Sequence, residues 1–415
     1  MTTLQLTSYL LLAWFLQLAG GVVFILWQKR NEPRGAAVIE SGSPPPVSTA
    51  AWAGWRDFRV VCREFEDTAR SQCSFYLEPV DGIALPPHLP GQFLTFALQI
   101  SDPADGPQAA KRTVTRCYSL SDAPDTAAYR ITVKRVGPPG EPANLPPGIS
   151  SGYFHDEVHV GDVLKVKAPS GQFVIDADAA LPAVLVAGGI GITPLLSMLR
   201  WCMVHQPQRA LYLYYGVRNG SEHAFKRVFA GIATGFPHIH VHVAYSRAGL
   251  GDVKGQDYHH AGHVDVELLR RTLPAGRHQF YVCGPPSMMA SLIPALAAWG
   301  VPSGDIRFEA FGPASMPPAA PNQPALPALP GPVDVQWRRA GRTLSWDGRY
   351  DNLLDFAESH GVAVESGCRA GSCGACETKL ISGAVGYDHP PDHDVAPGFC
   401  LLCVGKPQSA LVLEA

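Results

Sequence analysis

Four cysteines near the C-terminus have the spacing of metal ligands. Cys368, Cys373 and Cys376 follow one another as C-x4-C-x2-C in the stretch CRAGSCGAC, and Cys403 follows later in CLLCVG. Three such thiolates with a distant fourth are typical of the ligands of a [2Fe–2S] cluster. Gly371 and Gly374 between them let backbone N–H groups approach the sulfurs. The stretch therefore predicts an iron–sulfur cluster.

Two alternatives stay open for these cysteines. Structural zinc is usually bound by paired C-x2-C or Cys/His knuckles, and the stretch has a longer first gap and no second knuckle. Cys400 stands three residues before Cys403 and competes with it as the fourth ligand.

Two glycine turns predict a nucleotide site. Residues 188–194 read GGIGITP after the apolar run AVLVA, and residues 283–289 read CGPPSMM. The first turn is not the G-x-G-x-x-G fingerprint. Its glycines nevertheless allow the backbone to close on a pyrophosphate, and the helix that begins at Thr193-Pro194 offers free N–H groups. The second turn ends a later strand, where ligands of open α/β sheets bind. A plain strand-to-helix turn is the alternative.

Two earlier motifs carry groups that suit a flat cofactor with phosphates. Residues 116–120 read RCYSL, of the form R-x-Y-S, and residues 148–151 read GISS, of the form G-x-x-S. An arginine can meet a diphosphate as a bidentate fork, a tyrosine can stack on a heteroaromatic ring, and a serine hydroxyl can reach a ring nitrogen. Each motif is weak alone. Their order, before a nucleotide-type segment, predicts a flavin site.

Two segments with different periodicities, and a small C-terminal domain after them, must position these groups. From Trp52 to about Ile175, short alternating runs are separated by Pro/Gly turns without a helical stretch, which predicts an antiparallel barrel. From Leu181 to Pro313, strands alternate with amphipathic helices, which predicts a parallel sheet covered by helices. The predicted divisions are a membrane anchor at 1–30, a linker at 31–51, a flavin-binding barrel at 52–177, a nucleotide domain at 178–315, an Ala/Pro linker at 316–332 and a cluster domain at 333–415.

The N-terminal residues predict a transmembrane helix. No charged residue occurs before Lys29, and the apolar run from Tyr9 to Trp27 is long enough to cross about 30 Å of hydrocarbon. A signal peptide would carry positive charge before its apolar core. The basic residues after the run place the rest of the chain in the cytoplasm. We therefore expect a single-pass protein of the cytoplasmic membrane whose catalytic domains face the cytoplasm.

Composition limits the remaining possibilities. The 415 residues allow roughly three domains, and the net charge of −3 argues against nucleic-acid binding. Ten unevenly placed cysteines do not form a disulfide framework and indicate a reducing compartment. The residues given ordinary structural interpretations are Cys62, Cys73, Cys117 and Cys202 as core thiols, and His259, His260 and His263 as a surface loop.

The barrel followed by the sheet resembles the ferredoxin–NADP reductase superfamily. The three-part chain is similar to the reductase components of oxygenases and to hybrid-cluster-type NAD(P)H oxidoreductases, over Trp52 to Ala415. The resemblance implies a flavin barrel, a nucleotide domain and an α+β ferredoxin domain of the β-grasp type. It also implies that Cys403, a lone cysteine on a strand before a turn, is the fourth cluster ligand.

The resemblance also implies roles for individual residues. Those expected at the flavin are Arg116, Tyr118, Ser119, Leu120, Gly148, Ser150 and Ser151. Those expected at the nicotinamide nucleotide are Gly188, Gly189, Gly191, Thr193, Pro194, Cys283, Gly284 and Pro285, with Ser246 and Arg247 at a 2′-phosphate. Those expected nearest to the hydride path are Ser119, Thr193, Cys283, Glu309 and Phe311.

The same resemblance bears on the choice of cofactors. The stretch from Pro146 to Phe173 is similar to the FAD-binding stretch of flavohaemoglobins, which favours FAD. FMN stays open, because the domain order also occurs in FMN-containing reductases of the phthalate-dioxygenase type. Ser246-Arg247 favours NADPH over NADH.

Together these features predict an NAD(P)H-dependent electron-transfer reductase. A nicotinamide donates two electrons as a hydride and an iron–sulfur cluster accepts one, so a flavin between them resolves the mismatch. The expected acceptor is a separate oxygenase, haem or di-iron protein. A membrane NAD(P)H:quinone-type reductase and a non-catalytic redox sensor, or zinc-stabilised adaptor, are the alternatives.

Overall fold

The computed structural model describes residues 52–101, 111–124, 127–137, 148–178, 180–312, 331–388, 391 and 393–415. They belong to one compact unit of the chain, Ala50–Ala415. No helix within these ranges combines the length and the apolarity that crossing a bilayer requires. The predicted anchor at 1–30, the linker at 31–51 and residues 316–330 of the Ala/Pro linker lie outside the described residues.

The first sheet is antiparallel and has six strands. They are β1 (Arg56–Phe65), β2 (Gln72–Pro79), β3 (Phe93–Ile100), β4 (Arg112–Ser119), β5 (Tyr129–Lys134) and β6 (Val163–Ser170), in the order β4-β3-β6-β1-β2-β5. An isolated bridge between Leu120 and Ile131 joins its two edges, as closure into a barrel requires. Apolar residues that alternate along the strands fill the interior, Phe58 and Val60 of β1 among them.

A helix within this segment corrects the prediction that none occurs. Helix α1 spans Ile149–Asp156 and inserts Phe154 into the core, where its ring lies 5.2 Å from Phe75 and 5.6 Å from Phe96 between ring centroids. The helix has eight residues, too few to repeat an apolar stripe that periodicity could detect.

The second sheet is parallel. Its strands are β7 (Ala183–Gly188), β8 (Leu211–Val217), β9 (Ile239–Tyr245), β10 (His260–Ala261), β11 (Gln279–Cys283) and β12 (Ile306–Glu309), in the order β10-β9-β8-β7-β11-β12. The helices are α2 (Ile192–His205), α3 (Lys226–Gly235), α4 (Val266–Thr272) and α5 (Pro286–Ala298). These elements confirm the predicted alternation of strand and helix. Every residue of β7 is buried, because helices cover both faces of the sheet.

One feature of this sheet corrects the histidine-loop prediction. His260 lies in the short edge strand β10, paired with Ala244 of β9, and its Nε2 lies 3.2 Å from Nδ1 of His242. A two-residue strand is too short to show alternation, so the sequence pattern did not reveal it.

The third sheet is mixed and has five strands. The domain contains β13 (Val333–Trp337), β14 (Arg342–Trp346), helix α6 (Leu353–Ser359), β15 (Glu377–Ser382), β16 (Val385–Tyr387), β17 (Phe399–Leu401), β18 (Gly405–Pro407) and β19 (Leu411–Leu413). The sheet order is β14-β13-β19-β15-β17, and β16 pairs with β18. Asn352 caps α6 by accepting a hydrogen bond from Asp355 N at 2.8 Å, and Phe356 packs on Trp346. The cysteine stretch joins α6 to β15.

Candidate functional site

The turn after β7 and the turn after β11 are in direct backbone contact. A Cβ on Gly191 would lie 2.1 Å from the carbonyl oxygen of Cys283, and a Cβ on Gly188 would lie 2.5 Å from Cδ of Pro285. A Cβ on Gly284 would lie 3.1 Å from Cα of Gly188. Only glycine allows the two turns to meet this closely. They meet where β7 is flanked by β8 and β11, the type of position where open α/β sheets bind ligands.

The start of α2 lies in this turn. Thr193 and Pro194 are buried, and the Thr193 hydroxyl donates to the carbonyl oxygen of Ile190 at 3.0 Å. Gly191 is the N-cap residue, and no side chain of the described residues caps the helix there. Gly189 has φ of +52° and is open on its Cβ side apart from Nζ of Lys134 at 4.0 Å. The open N-terminus and the nearby cation suit a phosphate group.

Three of the residues predicted for the hydride path lie together. Ser119 ends β4, and its hydroxyl donates to Oε2 of Glu309 at 3.3 Å. Glu309 ends β12 and pairs in register with Cys283 at the end of β11. Burial, and then the Glu309 carboxylate, raise the pKa of the Cys283 thiol, so this thiol stays protonated at neutral pH and lines the site without charge.

Two predicted residues stand apart from this group. Phe311 lies beyond the end of β12 and is 42% exposed. Leu120 is fully buried among the apolar residues of the barrel, so only its backbone can face a cofactor.

The R-x-Y-S motif lies on β4. The Tyr118 ring packs on Phe154 with centroids 4.9 Å apart, and burial raises the pKa of its phenol. Arg116 is half-buried, and its Nη1 donates to the carbonyl oxygen of Thr115 at 2.7 Å. Burial, followed by repulsion from Arg369, lowers the pKa of Arg116.

The G-x-x-S motif forms the start of α1 and fits a phosphate. Gly148 is the N-cap residue and supplies no side-chain cap. The Ser151 hydroxyl donates to the carbonyl oxygen of Gly148 at 2.9 Å and accepts from Val136 N at 3.1 Å. In contrast, Oγ of Ser150 is buried and has no hydrogen-bond partner among the described residues. A buried hydroxyl without a partner at a helix N-terminus is what a bound flavin phosphate would satisfy.

The four predicted cluster ligands form two pairs of thiols. Cys368 and Cys373 are neighbours, and the Cys373 thiol is the largest cause of the raised pKa of Cys368. Cys376 is paired in the same way with Cys403, which lowers the pKa of Cys376 and raises that of Cys403. Two irons with two thiolates each would use such pairs. Nowhere in the described ranges do three or more His, Cys, Asp or Glu side chains form a group for a single metal ion.

Backbone N–H groups point at these sulfurs. Ala370 N and Ser372 N donate to Sγ of Cys368 at 3.4 and 3.3 Å, and Cys368 N donates to Sγ of Cys373 at 3.2 Å. Positive φ angles at Arg369, Gly371 and Gly374 fold the loop back on itself. The loop thus has the donors that anionic sulfur requires.

The structure brings Cys403, rather than Cys400, to the other ligands. Cys403 N donates to Sγ of Cys376 at 3.4 Å, in addition to the pairing of their thiols. Cys400 is buried in β17, opposite Thr378 of β15, and takes no part in either pair.

Sequence reasoning missed two residues next to the sites. Cys117, interpreted as a core thiol, is half-buried, and its sulfur lies with that of Cys373 beside Gly367 of the cluster loop. Its place inside RCYSL was the only available signal. Lys134 lies beside Gly189 and forms an ion pair with Glu222 at 2.9 Å. A lysine at the end of an alternating strand gives no such signal.

Cys62 is exposed, so the core interpretation holds for Cys73 and Cys202 but not for Cys62.

Ser246 and Arg247 lie directly after β9. Ser246 N donates to the carbonyl oxygen of Val217 at 3.0 Å, and Arg247 N donates to that of Arg218 at 2.7 Å. In the part of the chain that the structure describes, no carboxylate forms an ion pair with the Arg247 side chain, which is exposed. Its guanidinium is therefore available to an anionic ligand.

Comparisons with known proteins agree with this arrangement. Residues 185–292 match the family described as oxidoreductase NAD-binding domain, and residues 336–408 match the 2Fe-2S iron-sulfur cluster binding domain. The flavohemoprotein of Halalkalibacterium halodurans is 37% identical over 268 residues, which are 64% of this chain and 63% of that protein. The chain thus spans less than two thirds of the length of such relatives.

Solved structures extend the likeness. The flavohem-like FAD/NAD-binding domain of nitric oxide dioxygenase from Vibrio cholerae is 31% identical, with a TM-score of 0.53, and the match covers 62% of this chain and 99% of that domain. Phthalate dioxygenase reductase is 27% identical, with a TM-score of 0.51, over 87% of this chain and 98% of that one. A type IV self-sufficient cytochrome P450 monooxygenase shares the fold. It is 23% identical, with a TM-score of 0.58, and the match covers 87% of this chain and 41% of that one.

Both the FAD/NAD-binding portion and the cluster-binding portion of the chain are thus similar to solved proteins. The reductase portion matches a FAD/NAD-binding domain over nearly its full length, and phthalate dioxygenase reductase, a [2Fe-2S] protein, matches most of the chain. The chain belongs to the ferredoxin–NADP reductase superfamily, with a FAD/NAD-binding module and a C-terminal 2Fe-2S ferredoxin domain.

Proposed function

We propose that the protein takes a hydride from NAD(P)H and delivers electrons one at a time, through its [2Fe–2S] cluster, to an oxygenase or another redox protein. One NAD(P)H yields NAD(P)⁺ and a proton, and two molecules of a one-electron acceptor are reduced. FAD supplies the conversion between paired and single electrons. Plant-type clusters have potentials of about −400 mV, low enough to reduce a Rieske, haem or di-iron centre.

The observation that carries this proposal is the contact between the flavin-motif strand and the cluster loop. A Cβ on Gly367 would lie 2.6 Å from Sγ of the cluster ligand Cys373 and 3.5 Å from Sγ of Cys117 on β4, so a flavin held by β4 and a cluster held by that loop would be neighbours. Phthalate dioxygenase reductase, whose structure is described as modular for electron transfer from pyridine nucleotides to [2Fe-2S], supports the same order of carriers.

The residues of the hydride site orient and enclose the reactants. The hydrogen bond from Ser119 to Glu309 links the barrel to the parallel sheet at this point. The buried, protonated Cys283 thiol and the interlocked glycine turns exclude water from the nicotinamide side. Hydride transfer needs no proton donor from the protein. These side chains therefore contribute by positioning the reactants and by excluding water.

We propose NADPH as the preferred donor. Arg247 extends from the end of β9 without a carboxylate partner among the described residues, and Ser246 precedes it. A guanidinium suits a phosphate monoester, so these two residues would contact the 2′-phosphate.

Anaerobic titration of the purified, cluster-loaded protein tests the main proposal. Stepwise addition of NADPH should bleach the visible flavin band and then produce the electron paramagnetic resonance (EPR) signal of a reduced [2Fe–2S] cluster. A protein that binds FAD and iron but shows neither change with NADPH or NADH would contradict it.

We also propose that residues 1–30 anchor the protein to the cytoplasmic membrane, with the catalytic domains facing the cytoplasm. The uncharged apolar run before Lys29 supports this. Fractionation of cells that express the full chain, compared with a chain that begins at residue 31, provides the test. Equal recovery of both chains without membranes would contradict the proposal.

A further inference from the structure

The flavin-motif strand meets the cluster loop through the Cys117 side chain. Cys117 lies between Arg116 and Tyr118 on β4, and side chains alternate along a strand, so its thiol points away from the face that those two side chains share. Its neighbour there is the side chain of Cys373, because the sulfurs of both cysteines lie beside Gly367 of the cluster loop. Within the motif, this one residue therefore faces the cluster.

A glycine makes room for this contact. A Cβ on Gly367 would lie 2.6 Å from Sγ of Cys373 and 3.5 Å from Sγ of Cys117. Both sulfurs thus lie next to the backbone of Gly367, where there is no side chain. Any larger residue at 367 would press on the cluster ligand, so the close approach of loop and strand is built into the chain.

Charges on both sides of the contact are balanced. Arg116 and Arg369 repel each other across it. Arg369 forms ion pairs with Asp355, at 3.5 Å, and with Glu358. These two carboxylates of α6 offset the repulsion between the arginines.

The Cys117 thiol has a second partner that fixes its direction. Oγ1 of the buried Thr95, the residue opposite Cys117 on β3, lies 3.5 Å from Sγ of Cys117. A cluster-bound Cys373 is a thiolate and can only accept a hydrogen bond. The chain of donors therefore runs from the Thr95 hydroxyl to the Cys117 sulfur, and from the Cys117 S–H to Cys373.

We propose that Cys117 is a positioning residue for electron transfer: its thiol, oriented by Thr95, donates a hydrogen bond to the Cys373 thiolate and links the flavin-binding strand to the cluster. The inference rests on the proposed function. A hydrogen bond to a ligand sulfur stabilises the more negative, reduced cluster, and so raises its reduction potential.

A redox titration of the cluster-loaded full chain, followed by EPR, tests this inference. Cys117→Ala should shift the midpoint of the cluster to more negative potential. The expected change in the reduction equilibrium is about threefold to tenfold, as for loss of one hydrogen bond, and tenfold equals about 59 mV for one electron. Cys117→Ser keeps a donor and should shift the midpoint less. The control, Cys62→Ala at an exposed thiol of β1, should not shift it.

A spectroscopic readout separates a hydrogen bond from a general structural role. After exchange into D₂O, electron–nuclear double resonance of the reduced cluster should show one exchangeable coupling that Cys117→Ala lacks and Cys62→Ala keeps. An unchanged midpoint together with unchanged couplings in Cys117→Ala would overturn the inference.

Two further points keep the test decisive. Dithionite can reduce the cluster without NAD(P)H. If NAD(P)H does not reduce the protein but the dithionite titration shows the expected shift of the midpoint in Cys117→Ala, the proposed function is contradicted and this inference is not. If Cys117→Ala does not assemble, Thr95→Val keeps the cysteine but removes the hydroxyl that orients it. That variant should shift the midpoint in the same direction, and no shift would overturn the inference.

Discussion

The glycine turns at the nucleotide site and the glycine-rich loop at the cluster site differ in why they need glycine. At the nucleotide site, Gly188, Gly191 and Gly284 are required because two backbone segments touch where a Cβ would stand. At the cluster site, Gly371 and Gly374 have φ of +78° and +66° and allow the chain to reverse between ligands. The first site is fixed by packing between distant strands. The second depends mainly on local turns, and a Cβ on Gly374 would in addition lie 2.3 Å from the His393 ring.

This difference indicates what each site depends on. The nucleotide turns join β7 and β11, buried strands in the middle of a parallel sheet, so the site is preformed by the fold. At the cluster site, backbone N–H groups donate to the sulfurs of three of the four predicted ligands, so the geometry of the loop depends on the metal that the thiols bind. Four predictions test the contrast.

The largest effect is expected from removal of a cluster ligand. Cys403→Ser should abolish the EPR signal of the cluster and reduce electron transfer to a protein acceptor by more than about 100-fold, since even changes around metal ligands cost 10–100-fold in affinity. Reduction of FAD by NADPH should persist, because the nucleotide site is preformed. Iron content and stopped-flow absorbance measure the two effects. The matched control is Cys400→Ser, and loss of iron there with retention in Cys403→Ser would reverse the assignment.

A methyl group at the interlocked turns should destabilise the parallel sheet. Gly191→Ala places a Cβ where the carbonyl oxygen of Cys283 lies 2.1 Å away, and overpacking of this kind costs about 1–3 kcal/mol. The denaturant midpoint of the protein should fall, and binding of NADPH should weaken. Gly231→Ala in α3 meets open space and should stabilise by about 0.4–1 kcal/mol. Equal midpoints for the two variants would contradict the packing explanation.

Loss of the arginine after β9 should affect one nicotinamide more than the other. Arg247→Ala should raise KM for NADPH by about tenfold or more, as expected for loss of a charge-assisted contact, and leave KM for NADH unchanged. Steady-state reduction of ferricyanide measures both. The control is Arg271→Ala, which removes an exposed arginine from α4. An equal change for NADH and NADPH would show that Arg247 does not contact the 2′-phosphate.

The smallest effect concerns pH and the ion pair beside the nucleotide turn. Burial raises the pKa of Glu222, but Lys134 and Arg218 outweigh it, so the pKa in the folded protein lies below its ordinary value of 4.5. A carboxyl group with a lowered pKa stabilises the fold above its ordinary pKa and loses that effect as pH falls through the folded value. The expected loss is up to about 1 kcal/mol.

Thermal midpoints measured from neutral to acidic pH provide the test. Glu222→Gln should be less stable than the unmodified protein at neutral pH, and the difference should vanish in acid. A difference that persists below the pKa of the carboxyl group would show that Glu222 acts through packing instead of charge.

Much of the fold follows from local patterns. The alternating runs around β1 to β6, the strands β7 to β9, and the amphipathic helices α2 and α5 were predictable because burial imposes periods of two and 3.6 residues. The short elements α1 and β10 were not, because too few residues repeat. Among site residues, the cysteine spacing and the glycine turns carry their own signals. Cys117 has only its place inside RCYSL, and Lys134 has no signal until its neighbours are known.

The sequence by itself determined the chemistry of this protein: cysteines spaced for a two-iron cluster, glycines for a nucleotide turn, and an R-x-Y-S motif for a flavin. These are short-range patterns, because one loop must supply several ligands. The tertiary structure alone decided which groups meet. It joined Ser119 to Glu309 across 190 residues, chose Cys403 over Cys400, and placed Cys117 against the cluster loop. Such contacts depend on how strands from different sheets are packed, which no local spacing encodes.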